Sequence, residues 1–288
     1  MKNSLVIIGC PRSGTTYLLR LLASCHTLGY ISAAQNTAPN NLLLSRDLRM
    51  FDTPLLGGLR YAKRRYEHVL PVESWAFYNN YLPGFQWNVD QGSEPKRNYK
   101  AKEIDAFRSA VDGVLEESGR QRFLFKYTDF SRLDLLYQID PTCQVIHLTR
   151  HPLSVIFSYS KKMERGEFNT WNEREAWSAL WDKKLLDIYH EHKEALREKA
   201  LAGCLWAYFV QKIKLDISVW KGGAVQTYVY EDIFASYAPI KDLFKNNNLA
   251  YNLGVQSFLR NNKPIVYNYA ESLEKYRVFV NSLINYVE

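Results

Sequence analysis

Four short apolar runs are spaced along the chain, and helical periodicity fills much of the sequence between them. Leu5-Val6-Ile7-Ile8 is apolar at every position, which predicts a strand buried on both faces of a parallel sheet. Leu18, Leu21 and Leu22 recur at helical spacing between Thr15 and about Ser24, so strand, loop and helix follow in order. Further strands are predicted at Arg122–Lys126, Gln144–Thr149 and Ala224–Tyr230. Helical patterns continue from Pro152 to about Met163, and over Ile104–Ser118, Ser131–Ile139, Glu173–Lys199, Leu201–Val219, Ser236–Lys245 and Glu271 to the end. Strands alternating with helices predict a three-layer α/β/α architecture around a central parallel sheet. Between Thr27 and Tyr99 the pattern is irregular and rich in Tyr, Trp, Asn and Pro. No repeat, low-complexity tail or linker divides the chain, so one domain is expected over residues 1–288.

Composition narrows the setting more than the function. With 288 residues, 47% of them hydrophobic, the chain can bury one large core. A net charge of +7 and a pI near 9.0 suit a polyanionic ligand, an acidic polymer or a membrane surface without choosing among them. Cys10, Cys25, Cys143 and Cys204 have no paired spacing, which points away from a disulfide framework or zinc site and toward a reducing compartment. No apolar run approaches a membrane span, and the run at Leu5–Ile8 breaks at Gly9. A cytoplasmic protein without stable membrane insertion is expected.

The chemistry concentrates in Ile7-Ile8-Gly9-Cys10-Pro11-Arg12-Ser13-Gly14-Thr15-Thr16-Tyr17. A strand, a glycine-bearing turn and a helix opening on hydroxyl residues form an anion site, because helix N-termini present unpaired N–H groups and partial positive charge. Gly9 and Gly14 have the spacing of a P-loop, but Thr15 stands where a Walker loop keeps lysine. A kinase would also need an acid for Mg²⁺. The strand ending at Thr149 delivers Arg150 instead, and only Tyr230-Glu231-Asp232 offers an acid. Arg12 supplies a guanidinium that meets the charge of a leaving phosphate without a metal. Arg150, with Ser158 eight positions on, forms a second fork-and-hydroxyl pair for a phosphate.

These residues resemble the sulfotransferase family, which transfers a sulfuryl group from 3′-phosphoadenosine-5′-phosphosulfate (PAPS) and releases 3′,5′-ADP. Its 5′-phosphosulfate loop is matched at Pro11–Thr16, and its 3′-phosphate motif at Arg150 and Ser158. The resemblance implies a P-loop-type nucleotide-binding fold and a donor site comprising Arg12, Ser13, Gly14, Thr15, Thr16, Tyr17, Arg150 and Ser158. It also implies that Arg12 stabilises the leaving group, with no metal. Many relatives carry lysine at Arg12; arginine keeps the charge but cannot deliver a proton. Tyr17 stands where some relatives place a tryptophan near the adenine, and either stacks there or belongs to the core. The Tyr230–Asp232 triplet recurs in the family and reads as structural.

The base is less clearly marked. Relatives acting on small molecules place a histidine two residues after a lysine, whereas Lys126-Tyr127-Thr128 puts threonine there. Glu73, a lone acid in an apolar and aromatic stretch expected to raise its pKa, is the first choice of general base, and Asp129 the reserve. His147 reads as a core histidine, and Asp187, His190, Glu191 and Glu194 as a solvated helix face. Arg60–Tyr66 and Lys96–Lys102 mix basic and aromatic residues as acceptor-binding or solvated surface, so no nucleic-acid partner is expected. Twenty tyrosines and seven tryptophans, several of them within residues 27–99, suggest an aromatic-lined acceptor region for a carbohydrate, glycolipid or small alcohol or amine. The alternatives are a P-loop kinase or nucleotidase with an altered Walker loop, and a nucleotide-binding protein without turnover.

Overall fold

The structure is a computed structural model that describes residues 3–51, 64–85, 98–166, 181–264 and 270–288. The first half of the chain runs β1 (Leu5–Gly9), α1 (Thr15–Ala23), β2 (Leu28–Gly29), α2 (Ala33–Thr37), α3 (Trp75–Tyr81), α4 (Ala101–Ser118), β3 (Arg122–Thr128) and α5 (Leu133–Ile139). It continues with β4 (Gln144–Thr149), α6 (Pro152–Glu164), α7 (Lys183–Leu196), α8 (Glu198–Ser218) and β5 (Val225–Val229). The last elements are α9 (Tyr230–Ile233), α10 (Tyr237–Asn246), α11 (Leu253–Asn261) and α12 (Ala270–Val287). Two 3₁₀ segments, Leu42–Phe51 and Arg64–Val69, separate α2 from α3.

The strands form one parallel sheet in the order β2-β3-β1-β4-β5, as the alternation of strands and helices predicts. The all-apolar β1 is central because both of its faces are covered. Leu5 and Ile7 pack with Leu18, Leu22, Leu124 and Ile146 on the α1 side. Val6 and Ile8 pack with Phe107, Val111, Phe125 and Leu136 on the other. A third core gathers α6, α7, α8 and α12 around Phe209, Leu205 and Leu283. Every strand of a parallel sheet ends on the same edge, so the loops after β1, β3 and β4 open together there.

Several elements differ from the expectation. β2 is a two-residue edge strand, too short to show any periodicity, inside the stretch that reads as irregular. The helix expected from Ser131 begins at Leu133, because Arg132 adopts a left-handed conformation (φ 48°) while its side chain folds back onto Asp129 and the Phe130 carbonyl. The helices expected over Glu173–Lys199 and Leu201–Val219 meet at Arg197, where φ is 49° and ψ −121°. Residues 173–180 of the first of these lie outside the described residues. Tyr230 opens α9 rather than ending β5.

Asp140 links the start of β1 to the turn before β4. Its buried carboxylate accepts from the Ser4 N–H (2.8 Å), the Thr142 N–H (3.1 Å) and the Thr142 hydroxyl (2.6 Å). Burial pushes the carboxyl up, but these donors outweigh it and hold the group below the usual aspartate value. A depressed folded-state pKa means that the stabilisation is complete above the unfolded value and is lost as pH falls through the folded one. Asp140→Ala should cost about 2–3 kcal/mol at neutral pH, since the buried Ser4 N–H and the part-buried Thr142 N–H and hydroxyl all lose their acceptor. In urea titrations the variant's stability should fall less steeply below about pH 4 than that of the parent.

Candidate active site

The loop after β1 is shaped by close backbone approach. A Cβ on Gly9 would lie 2.6 Å from the Leu148 carbonyl oxygen of β4 and 2.9 Å from Ser13 Oγ. The Ser13 N–H bonds the Cys10 carbonyl at 3.1 Å, closing the turn. Arg12 and Gly14 both take left-handed conformations, with φ of 70° and 96°. Gly14 also faces the ring of Tyr230, and a Cβ there would come within 2.3 Å of Tyr230 Cε2. Gly14 is the N-cap of α1 and supplies no side-chain acceptor, so the first N–H groups of that helix are left for another partner.

Beyond β4, Pro152 opens α6, and His151 caps it through Nδ1, which accepts from the Leu153 N–H at 3.3 Å. Arg150 leans back across the edge of the sheet. Its Nη1 donates to the Arg12 carbonyl at 3.1 Å, and its guanidinium lies 4.3 Å from the centre of the Tyr230 ring. Glu231 Oε1 lies 3.7 Å from Arg150 Nε and accepts from the Ser154 hydroxyl at 3.0 Å. Ser158 does not pair with Arg150 but accepts from Arg12 Nε at 3.0 Å. Both motifs thus line one cleft of about 660 Å³, together with Thr15, Thr16, Tyr17, Glu73, Trp75, Thr128 and Asp129.

Tyr17 is held by its surroundings. Its hydroxyl donates to the Asn262 carbonyl, and its ring meets Phe234 and Phe258 edge-on at 4.8 and 5.2 Å. It belongs to the core on one side and lines the cleft on the other, so both readings of its role survive. Lys162 and Lys263 add cations that no motif in the sequence marks.

The two acids occupy different environments. The Glu73 side chain is 43% exposed toward the cleft; its carboxylate accepts from Trp75 Nε1 at 3.3 Å and from Lys126 Nζ. Burial pushes Glu73 up, but Lys126, Trp75 and the charge of Arg12 prevail and hold it below the usual glutamate value. The rise expected from its apolar neighbours in sequence is therefore overturned by a cation contributed from β3. Asp129 (φ 74°), 16% exposed, accepts from Arg132 Nη1 at 2.9 Å and from the Phe130 N–H. Burial keeps its carboxyl above the usual value despite Arg132.

Lys126 is the residue that sequence reasoning missed as part of the site. Its side chain is 2% exposed, and its ammonium also donates to the Thr16 hydroxyl at 2.8 Å. Burial lowers its pKa, and Glu73 restores part of the loss. The signal was present: a lysine inside Arg122–Thr128 (RFLFKYT), a strand otherwise apolar at its centre.

Comparison with known proteins settles the family. The profile of the Sulfotransferase family matches residues 4–202. The chain belongs to the sulfotransferase family. Among solved structures it is similar to sulfotransferase STF9 from Mycobacterium avium, with 14% identity and a TM-score of 0.56, covering 99% of this chain and 76% of that one. It is similar also to sulfotransferase STF1 from Mycobacterium tuberculosis H37Rv, with 14% identity and a TM-score of 0.55, covering 100% and 76%. At this identity the two likenesses establish a shared fold. No curated protein matches the sequence.

Sulfuryl transfer is accordingly the activity at family level, and the loop of this sulfotransferase suits an anionic donor. Ser13 Oγ is buried with no hydrogen-bond partner among the described residues, and the start of α1 lacks a side-chain cap. His147 lies outside the cleft, against Thr227 Oγ1 at 3.3 Å, and burial with Lys214 pushes it down to about 4. No group of three or more metal-ligating side chains occurs among the described residues, including Asp187, His190, Glu191 and Glu194 on α7. Nor is any described helix long and apolar enough to cross a membrane. Of the basic-aromatic stretches, residues 60–63 and 96–97 lie outside the described residues.

Gly14→Ala should be severe. A left-handed alanine costs about 1–3 kcal/mol, and the collision with Tyr230 adds about 1–3 more. In a Tyr230→Ala background, urea denaturation should return most of the second cost and none of the first.

Proposed function

We propose that this sulfotransferase takes its sulfuryl group from PAPS and transfers it to a hydroxyl, or an amine, of a carbohydrate, glycolipid or small-molecule acceptor. One observation carries the reading. Arg12 and Arg150, 138 positions apart, meet at a single cleft through a 3.1 Å bond, with Ser158 bonded to Arg12 beside them. A donor phosphorylated at both ends of its ribose needs two such clamps. When bound, it supplies an activated sulfuryl group and a stable leaving phosphate.

Each residue then has a definable task. The N–H groups opening α1, with Ser13, Thr15 and Thr16, hold the 5′ end, while Arg150 and Ser158 bind the 3′-phosphate. Tyr17 presents an apolar edge to the adenine. Glu73 receives the proton of the acceptor as the acceptor oxygen bonds to sulfur. The bond from sulfur to the 5′-phosphate oxygen breaks, 3′,5′-ADP departs with that electron pair, and Arg12 meets the developing charge. Glu73 is preferred over Asp129 because Asp129 is committed to Arg132 and the Phe130 N–H, whereas Glu73 opens onto the cleft. Trp75 beside Glu73 offers a face for the apolar side of a sugar ring. Four free, buried cysteines suit a cytoplasmic setting.

Thermal unfolding provides the direct test. 3′,5′-ADP without Mg²⁺ should raise Tm in a concentration-dependent way, and stabilisation by Mg-ATP alone would instead favour a kinase. With labelled PAPS and pooled sugar and alcohol acceptors, Arg12→Ala should lose about 10²–10³ in turnover. Arg150→Ala should mainly weaken 3′,5′-ADP binding; equal losses of turnover with affinity unchanged would overturn this division of roles.

Glu73→Gln should abolish sulfation while leaving 3′,5′-ADP affinity nearly intact, and Asp129→Asn should retain activity in whatever fraction folds. An inactive but folded Asp129→Asn beside a normal Glu73→Gln would move the base to Asp129. A clear preference for simple phenols would overturn the carbohydrate reading.

A further inference from the structure

Lys126 joins the donor loop to the base. Its ammonium, sealed from solvent behind the cleft, bonds Thr16 at the start of α1 on one side and Glu73 on the other. Both partners line the cleft and Lys126 does not. Resting on the reading of the site given above, we propose that Lys126 is a positioning residue that gates the base: it holds Glu73 in the donor-free chain and releases it when an anion settles against Thr16.

The argument is one of competition for a single charge. A buried ammonium must keep an anionic or polar partner, because water cannot replace one at that depth. Glu73 is the only carboxylate bonded to it among the described residues, and Thr16 is a neutral partner. A sulfuryl or phosphate oxygen arriving at Thr16 places a second anion within reach of the same ammonium. The bond to Glu73 then weakens, since one cation is shared between two negative groups.

The groups that face Glu73 divide by sign. Lys126 from β3 and Arg12 from the loop lower its proton affinity, Trp75 donates from the start of α3, and Asp129 is the nearby acid. Arg20 from α1 and Asp129 complete the charged surroundings of Lys126. Donor oxygens neutralise Lys126 and Arg12 together, which leaves the Trp75 hydrogen bond alone against the burial that raises Glu73. The carboxylate becomes a stronger base when a sulfuryl group is present to be attacked, and stays a weak one otherwise.

The test follows the Glu73 carboxyl by ¹³C NMR titration in the full chain, with its signal assigned through Glu73→Gln. Saturation with PAPS in the absence of acceptor, checked by thermal shift, should raise the proton affinity of Glu73 at least tenfold, about one pH unit. In Lys126→Met the affinity should already be high without donor and change little when PAPS is added. Lys126→Arg should restore both the low starting value and the response. PAPS that saturates the parent protein while Glu73 titrates unchanged would overturn the gate and leave the donor assignment standing. A folded Lys126→Met with Glu73 still as low as in the parent would overturn it too. Absence of PAPS binding to the parent would instead refute the donor reading, and the gate with it.

Discussion

The site depends on the contact of Tyr230 and Glu231 with the two loops beside them. Parallel strands deliver the loops after β1 and β4 to the same edge, but that leaves them only adjacent. The β4–β5 register pairs Thr149 with Val229, so the next residues, Arg150 and Tyr230, leave the sheet side by side. The Tyr230 ring then lies between Gly14 and the Arg150 guanidinium, touching both. Glu231 gathers Arg150, the His151 N–H and the Ser154 hydroxyl. One dipeptide therefore sets the distance between the loops after β1 and β4 and fixes the side chain that spans them. The Tyr230–Asp232 triplet, which a nucleotidase would use for metal, here serves position through its first two residues.

Charge at this edge is held in pairs. Lys126, Arg132 and Arg150 have side chains only 2, 2 and 7% exposed, and each lies against a carboxylate: Glu73, Asp129 and Glu231. A cation buried without an anion would lose far more solvation than packing returns. The three pairs are not equivalent. Arg132 is also covered by Phe85, 4.4 Å from its guanidinium, and bonds two backbone carbonyls, so its pair with Asp129 braces the end of β3. Arg150 is braced yet still lines the cleft, and Lys126 reaches the cleft only through its partners. Cations paired in this way are held in place before any ligand arrives, as preorganised electrostatics requires. The overall charge of +7 contributes little to that, because distant surface charges are screened.

The sequence by itself determined the layered architecture, because its main strands are long enough to show their pattern. β1 is apolar at each position it predicts, β3 and β4 fall within three residues of the expected bounds, and the glycine spacing marks the anion loop. Arg12, Arg150 and Ser158 could be nominated from their motifs, Glu73 as a lone acid in an apolar stretch and Asp129 from its place just after Lys126-Tyr127-Thr128, and all of them line one cleft. What the sequence could not supply was the partner of each charge. Glu73 read as an acid with a raised pKa because its neighbours in the chain are apolar; the fold sets Lys126 against it, 53 positions away, and reverses the direction. Ser158 read as the companion of Arg150 at one phosphate; the fold adds Arg12, 146 positions away, as its hydrogen-bond donor. Periodicity is a local property and survives in one dimension. Coulombic pairing and desolvation depend on distances between segments far apart in the chain, and only the tertiary structure decides those.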